Sequence, residues 1–219
     1  MRSHAPHSRR TFFRNSFLAG LAVATSGPLT SAARAATGAT APKTRTAVAL
    51  TTGTDRAAMV FDGLKPFARQ IQQAIAGKQV VLKPNNVSID VPLCATHADC
   101  LQGILEFLKS IGRTDNIIIA ESAAGGPTLE GFANYGYTRL TGSYGVKLVD
   151  LDQEPIRLLH VFDEKDFRPH AVRMSRVLLD PRAYIISATR FKTHDRVVAT
   201  LSLKNIIVGA PIKDPGFRW

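Results

Sequence analysis

Residues 79–86 read QVVLKPNN and residues 116–126 read NIIIAESAAGG. Each is a short, continuous apolar run that stops abruptly at charged or amide side chains. Consecutive apolar positions need cover on both faces of a strand, which is the habit of parallel sheets. The sequence around these runs supplies the cover. Between them Leu101, Ile104, Leu105, Leu108 and Ile111 fall on one helical face stopped by Gly112, with Thr96 and Asp99 spaced as a capping box. Upstream, residues 47–53 (AVALTTG) predict another strand. Asp55 then predicts a helix cap ahead of Val60, Leu64, Phe67, Ile71 and Ile75, a helical stripe running to Gly77. Downstream, residues 146–152 (VKLVDLD) and 183–190 (AYIISATR) add two strands, and the Pro-containing stretch 153–180 predicts a small excursion or hairpin. Strands alternating with amphipathic helices predict an α/β fold, a mostly parallel sheet with helices on both faces.

In such sheets ligands bind beyond the carboxyl ends of the strands, where loops converge. Three strands end there in polar clusters: Lys83, Asn85 and Asn86; Glu121, Ser122, Gly125 and Gly126; and Arg190, Lys192 and His194. If the strands are parallel, the clusters share one rim. Lys83 is either a solvated strand end or a ligand group, and Asn86 reads as a turn former. Glu121 closes a buried strand and needs a partner. The Gly125–Gly126 pair lacks the rest of a dinucleotide-binding fingerprint. Lys192 and His194, two apart on extended backbone, project to one side. Lys204, beside Asn205, interrupts apolar sequence and needs an anion or a carboxylate, Glu121 among the choices. Residues 195–204 fit either a helix capped by Asp195 or a strand.

The chain has 219 residues, is 45% hydrophobic, has near-zero mean hydropathy and carries a formal charge of +11. Five of its 28 basic residues lie in the first 35 positions, which contain no acid, so 23 basic against 17 acidic residues leave +6 for the rest. That balance suits an anionic small molecule. No dense basic run interleaved with aromatics follows Arg34, so no nucleic-acid partner is expected.

The amino terminus, SRRTFFRNSFLAGLAVATSGP (8–28), pairs Arg9 and Arg10, places Phe12 two residues later, and continues into a modest apolar stretch. It resembles a twin-arginine export signal. The apolar stretch is too short to span a bilayer stably, and small residues at Ala33 and Ala35 place cleavage after Ala35. The expected organisation is a signal peptide (1–35), a linker (36–46) and an α/β domain (47–219). The resemblance implies the twin-arginine translocase as a partner during export, a periplasmic or secreted location, and no stable membrane span after cleavage.

The segments VLKPNN (81–86), ATHADCLQGILEFLKSIG (95–112), IIIAES (117–122) and FKTHDRVVATLSLKNIIVG (191–209) together resemble the DUF362 family, a domain of unknown function. The K-T-H triplet followed by L-K-N-x-x-x-G is the most distinctive part. The likeness runs from about Val80 to Gly209. It implies an α/β domain and matches Lys192, His194, Lys204 and Asn205 to characteristic positions, but supplies no reaction and leaves any cofactor unknown. Some members carry a ferredoxin-like iron–sulfur segment; this chain has no Cys-rich run, so no cluster is expected. The sequence stops at PIKDPGFRW (211–219), where relatives continue: a short version or a truncated frame, with an exposed sheet edge or uncovered face as the expected consequence. Cys94 and Cys100, in CATHADC, are either a strained disulfide or two semi-buried thiols, with a metal site the least favoured reading.

Two functional classes follow. In one, the protein is an oxidoreductase or acid/base enzyme acting on an anionic metabolite. His194 is then the base, Glu121 the acid or orienter, and Lys83, Asn85, Gly125, Lys192, Lys204 and Asn205 bind the ligand. In the other, the same rim holds the anion without chemistry.

Overall fold

The computed structural model describes residues 46–194 and 198–213. The export signal, its cleavage site, the linker up to residue 45, the Asp195 cap and the last six residues lie outside the described residues.

Asp55 opens the first helix, α1 (Arg56–Leu64), by accepting a hydrogen bond from the Ala58 amide at 2.9 Å. Pro66 interrupts the apolar stripe with a 3₁₀ turn (Lys65–Phe67) before α2 (Ala68–Ala74) resumes it. The first strand, β1 (Gln79–Lys83), follows Gly77, whose φ of +70° suits glycine. Helix α3 (Ala98–Ser110) then leads to β2 (Ile117–Glu121), and two short helices, α4 (Thr128–Asn134) and α5 (Thr138–Tyr144), lead to β3 (Lys147–Asp150). An antiparallel hairpin of β4 (Ile156–Phe162) and β5 (Pro169–Ser175) forms the expected excursion. A single turn, α6 (Arg176–Leu179), returns the chain to β6 (Ala183–Ser187).

The four long-range strands form one parallel sheet in the order β3-β2-β1-β6. The apolar runs that lacked alternation are covered on both faces. Val80, Leu82, Ile117 and Ile119 pack against Leu101, Ile104, Leu105 and Leu108 of α3, Phe132 of α4 and Leu140 of α5 on one face. Val81, Ile118 and Ala120 meet Leu151, Val177 and Leu178 on the other. Removing any one of the fully buried leucines from water contributes about 1.5–3 kcal/mol. Gly103 lets α1 and α3 approach closely: a Cβ there would sit 2.4 Å from the Ala57 carbonyl oxygen.

Two expectations are corrected and one open choice is resolved. Residues 47–53 form no strand; the segment runs without a pairing partner, leaving Val48 and Leu50 86% and 90% exposed. The cap of α3 is His97, whose Nδ1 accepts from the Asp99 amide at 3.1 Å, because Thr96 turns inward to donate to the Ala188 carbonyl. Beyond Arg190 the helix and strand readings each hold in part. Strands β7 (Lys192–His194) and β8 (Val198–Thr200) pair as a small antiparallel ribbon, and α7 (Ser202–Ile207) follows.

Candidate functional site at the carboxyl rim of the sheet

Because β1, β2 and β6 are adjacent and parallel, their carboxyl ends bring the three polar clusters together. At the centre lies a sequestered ion pair. Lys83 Nζ is 2.6 Å from Glu121 Oε1, and the two side chains are 0% and 2% exposed. Glu121 also accepts from the Asn86 amide at 3.2 Å and from the Ser122 amide at 2.9 Å. Charges so removed from water persist only when paired and hydrogen-bonded. Lys83, read from sequence as a strand end or a ligand group, is therefore the internal partner of Glu121, a place that sequence had weighed for Lys204.

Asn205, fully buried on α7, ties this pair to the loops. Its Oδ1 accepts from Lys83 Nζ at 3.1 Å and from Asn85 Nδ2 at 3.2 Å, while its Nδ2 donates to the Lys83 carbonyl and to Ser187 Oγ. Four partners use the amide's full capacity. Gly209, four residues on, makes room for this geometry, since a Cβ there would lie 2.9 Å from the Asn205 carbonyl oxygen. The spacing of Asn205 and Gly209 in L-K-N-x-x-x-G thus has a steric cause.

Asn85 carries the network outward. Its Oδ1 accepts from Lys192 Nζ, which also donates to the Cys94 carbonyl at 2.6 Å. Lys192 is half-buried, and burial, joined by repulsion from Lys204, holds its pKa below the usual lysine range. Lys204 is half-buried on α7. On the other side of the Lys83–Glu121 pair, Lys213 Nζ donates to Ser122 Oγ at 2.6 Å, and Ser122 Oγ donates to Asp152 Oδ1 at 2.6 Å. Burial lowers the Lys213 pKa too. Among the described residues, none of Lys192, Lys204 and Lys213 has a carboxylate in ion-pair contact.

His194 ends β7 opposite Val198 and is half-buried. Lys83 and the Asn86 and Ser122 amides already engage the Glu121 carboxylate. Gly125 and Gly126 sit in close contact with the loop that follows Asn86. A Cβ on the first would meet the Val87 carbonyl at 3.1 Å, and one on the second would meet the Ile89 side chain at 2.5 Å. Asn86, read as a turn former, is 2% exposed and joins Glu121 to Tyr137. Burial, then the charge of Glu121, raises the Tyr137 pKa far above its ordinary value. Cys94 and Cys100 are free thiols, and burial pushes Cys100 up to about 11.

Sequence reasoning missed Thr96, Tyr137, Asp152 and Lys213 as members of this network. Lys213 carried the same signal as Lys204, a lysine beside apolar residues, in "APIK". Tyr137 carried none, because its partners are 41 and 51 residues away. No three His, Cys, Asp or Glu side chains among the described residues form a metal-ligand set. No described helix is long and apolar enough to cross a membrane.

A family model described as a domain of unknown function, DUF362, matches residues 80–216, which takes in the buried pair, Asn205 and all three half-buried lysines. No curated protein and no solved structure matches the chain.

Proposed function

The chain belongs to the DUF362 family, and from that premise and the rim geometry we propose that it binds an anionic small molecule, a phosphate or carboxylate compound, at the carboxyl edge of its sheet. One observation carries the reading: Lys192 is held in a desolvated setting by neutral oxygens alone, beside a second lysine, Lys204, with the nearby carboxylate already neutralised by Lys83. An anion relieves both the desolvation and the repulsion. Lys192 and Lys204 are the contacting cations. Lys83, Glu121 and Asn205 are sealed inside the rim and fix Asn85, which aims Lys192.

Thermal shifts with a panel of phosphorylated and carboxylated metabolites test this. A bound anion raises the melting temperature of the wild type by mass action, and the Lys192→Met/Lys204→Met variant stays folded and loses that response. An unchanged response in the variant contradicts the proposal.

His194 is the group we place to exchange a proton with a bound anion in an acid/base or redox reaction. The burial of Glu121, with three donors on its carboxylate, favours the second class, a binding or accessory protein without turnover. Product formation from an identified ligand separates the two. We also propose export through the twin-arginine pathway, supported by Arg9, Arg10 and Phe12. Replacing both arginines by lysine keeps the charge and removes the planar guanidinium, so a reporter fused after Ala36 stays in the cytoplasm; an undiminished exported signal contradicts it.

A further inference from the structure

The sheet ends at β6. Its outer edge pairs with no strand among the described residues, and all five of its residues are only half-buried, whereas four of the five in neighbouring β1 are buried. An open edge of bare amides and carbonyls invites another strand.

Handedness says where such a strand comes from. The connections from β1 to β2 and from β2 to β3 step across the sheet in one direction, with α3, α4 and α5 on one face. Helices α1 and α2 lead into β1 and pack into the same core through Val60, Phe61, Leu64 and Ile71. A right-handed crossover on that face must begin on the β6 side of β1. The position beside β1 is filled by β6, so the free position is the outer edge of β6. The return from β3 to β6 obeys the same rule in reverse: it steps the other way, with Val177 and Leu178 of α6 on the opposite face.

The residues that precede α1 have the character of the missing strand. Val48 and Leu50 are almost fully exposed, while Ala49 and Thr51 between and after them are half-buried. Thr51 lies along α1, donating to the Met59 carbonyl at 2.9 Å. The alternation is that of a strand with one face on a helix and the other bare.

We propose that Val48–Thr52 docks as a fifth parallel strand on the outer edge of β6 in solution, giving the order β3-β2-β1-β6 followed by this segment. Val48 and Leu50 then lie on the face of Ala183 and Ile185, and Ala49 and Thr51 on that of Tyr184 and Ile186. A parallel addition also delivers Thr52 and Thr54 to the carboxyl rim, beside the strand whose end holds Asn205 through Ser187.

Hydrogen exchange of the full chain, read by mass spectrometry, tests this. Docking makes amides in 49–52 and the edge-facing amides of Ile185 and Ser187, which alternate with the β6 amides already bonded to β1, exchange together, about a hundredfold slower than unstructured peptide, at rates independent of protein concentration. Val48→Asp/Leu50→Asp releases both sets of amides at once. Unprotected exchange of 49–52 in the wild type overturns the proposal, a reading that stands even if the substituted chain fails to fold. Protection of Ile185 and Ser187 that grows with protein concentration also overturns it, since a second copy then occupies the edge.

Discussion

Glu121→Gln isolates the element on which the rim depends. The substitution keeps the volume and one acceptor oxygen but leaves Lys83, which is 0% exposed, without its counter-charge. Its remaining partners are the Asn205 amide oxygen at 3.1 Å and the Pro84 carbonyl at 3.4 Å, both neutral. Removing one member of a buried, well-bonded pair costs about 3–5 kcal/mol. For a domain of this size each kcal/mol moves the melting midpoint by about 2–4 °C, so the expected drop is about 6–20 °C. Lys83→Met should cost a similar amount by stranding Glu121 with two backbone amides. The double variant should cost well below the sum of the two, because neither charge is then left alone. Urea titrations of the four proteins give the coupling directly. A Glu121→Gln cost under about 1 kcal/mol, or simple additivity, would refute the claim that these two residues form one buried unit.

Gly103→Ala raises helix propensity by about 1 kcal/mol, yet its Cβ must displace the Ala57 carbonyl oxygen from 2.4 Å; the net effect expected in thermal melts is destabilisation of about 1–3 kcal/mol, and a stabilised variant would contradict the close packing of α1 on α3. The pKa values of Lys192 and Lys213 are depressed on folding, so the unfolded chain binds more protons in the window between those depressed values and the ordinary 10.5, and ligand-free stability gains from both lysines as pH rises through it. The anion response runs the opposite way, strongest below the depressed values and fading above them; calorimetric melts with and without phosphate across this range check both signs. Alkylation without reductant should label Cys94 readily and Cys100 slowly, since burial pushes the latter up to about 11; protection of both thiols until reductant is added would mean a disulfide.

Much of the fold was legible because its strands announce themselves. VVL and III lack alternation, and only a sheet covered on both faces accepts them. The α3 stripe and the Asp55 cap are local signals, and both are found where spacing put them. Residues 47–53 have strand propensity but no ladder bonds in the structure, because propensity does not say which edge a segment joins. Thr96 misled: its spacing to Asp99 suits a cap, but a tertiary bond to Ala188 claims the hydroxyl. At the rim, sequence order named the residues and not their partners. Glu121 needed a cation, and the choice between Lys83 and Lys204 is made by the parallel pairing of β1 with β2, which sets Lys83 beside Glu121. Asn205 bonds across about 120 residues of chain, a separation that no local pattern encodes.

Native mass spectrometry of the folded chain, titrated with phosphorylated and carboxylated metabolites, tests the central claim most directly. Wild type should retain one anionic ligand per chain, the complex should weaken as pH rises towards the ordinary lysine range, and Lys192→Met/Lys204→Met should retain none while keeping its native charge-state distribution. Equal retention by wild type and variant, or no retained anion at any pH, would contradict anion binding at this rim.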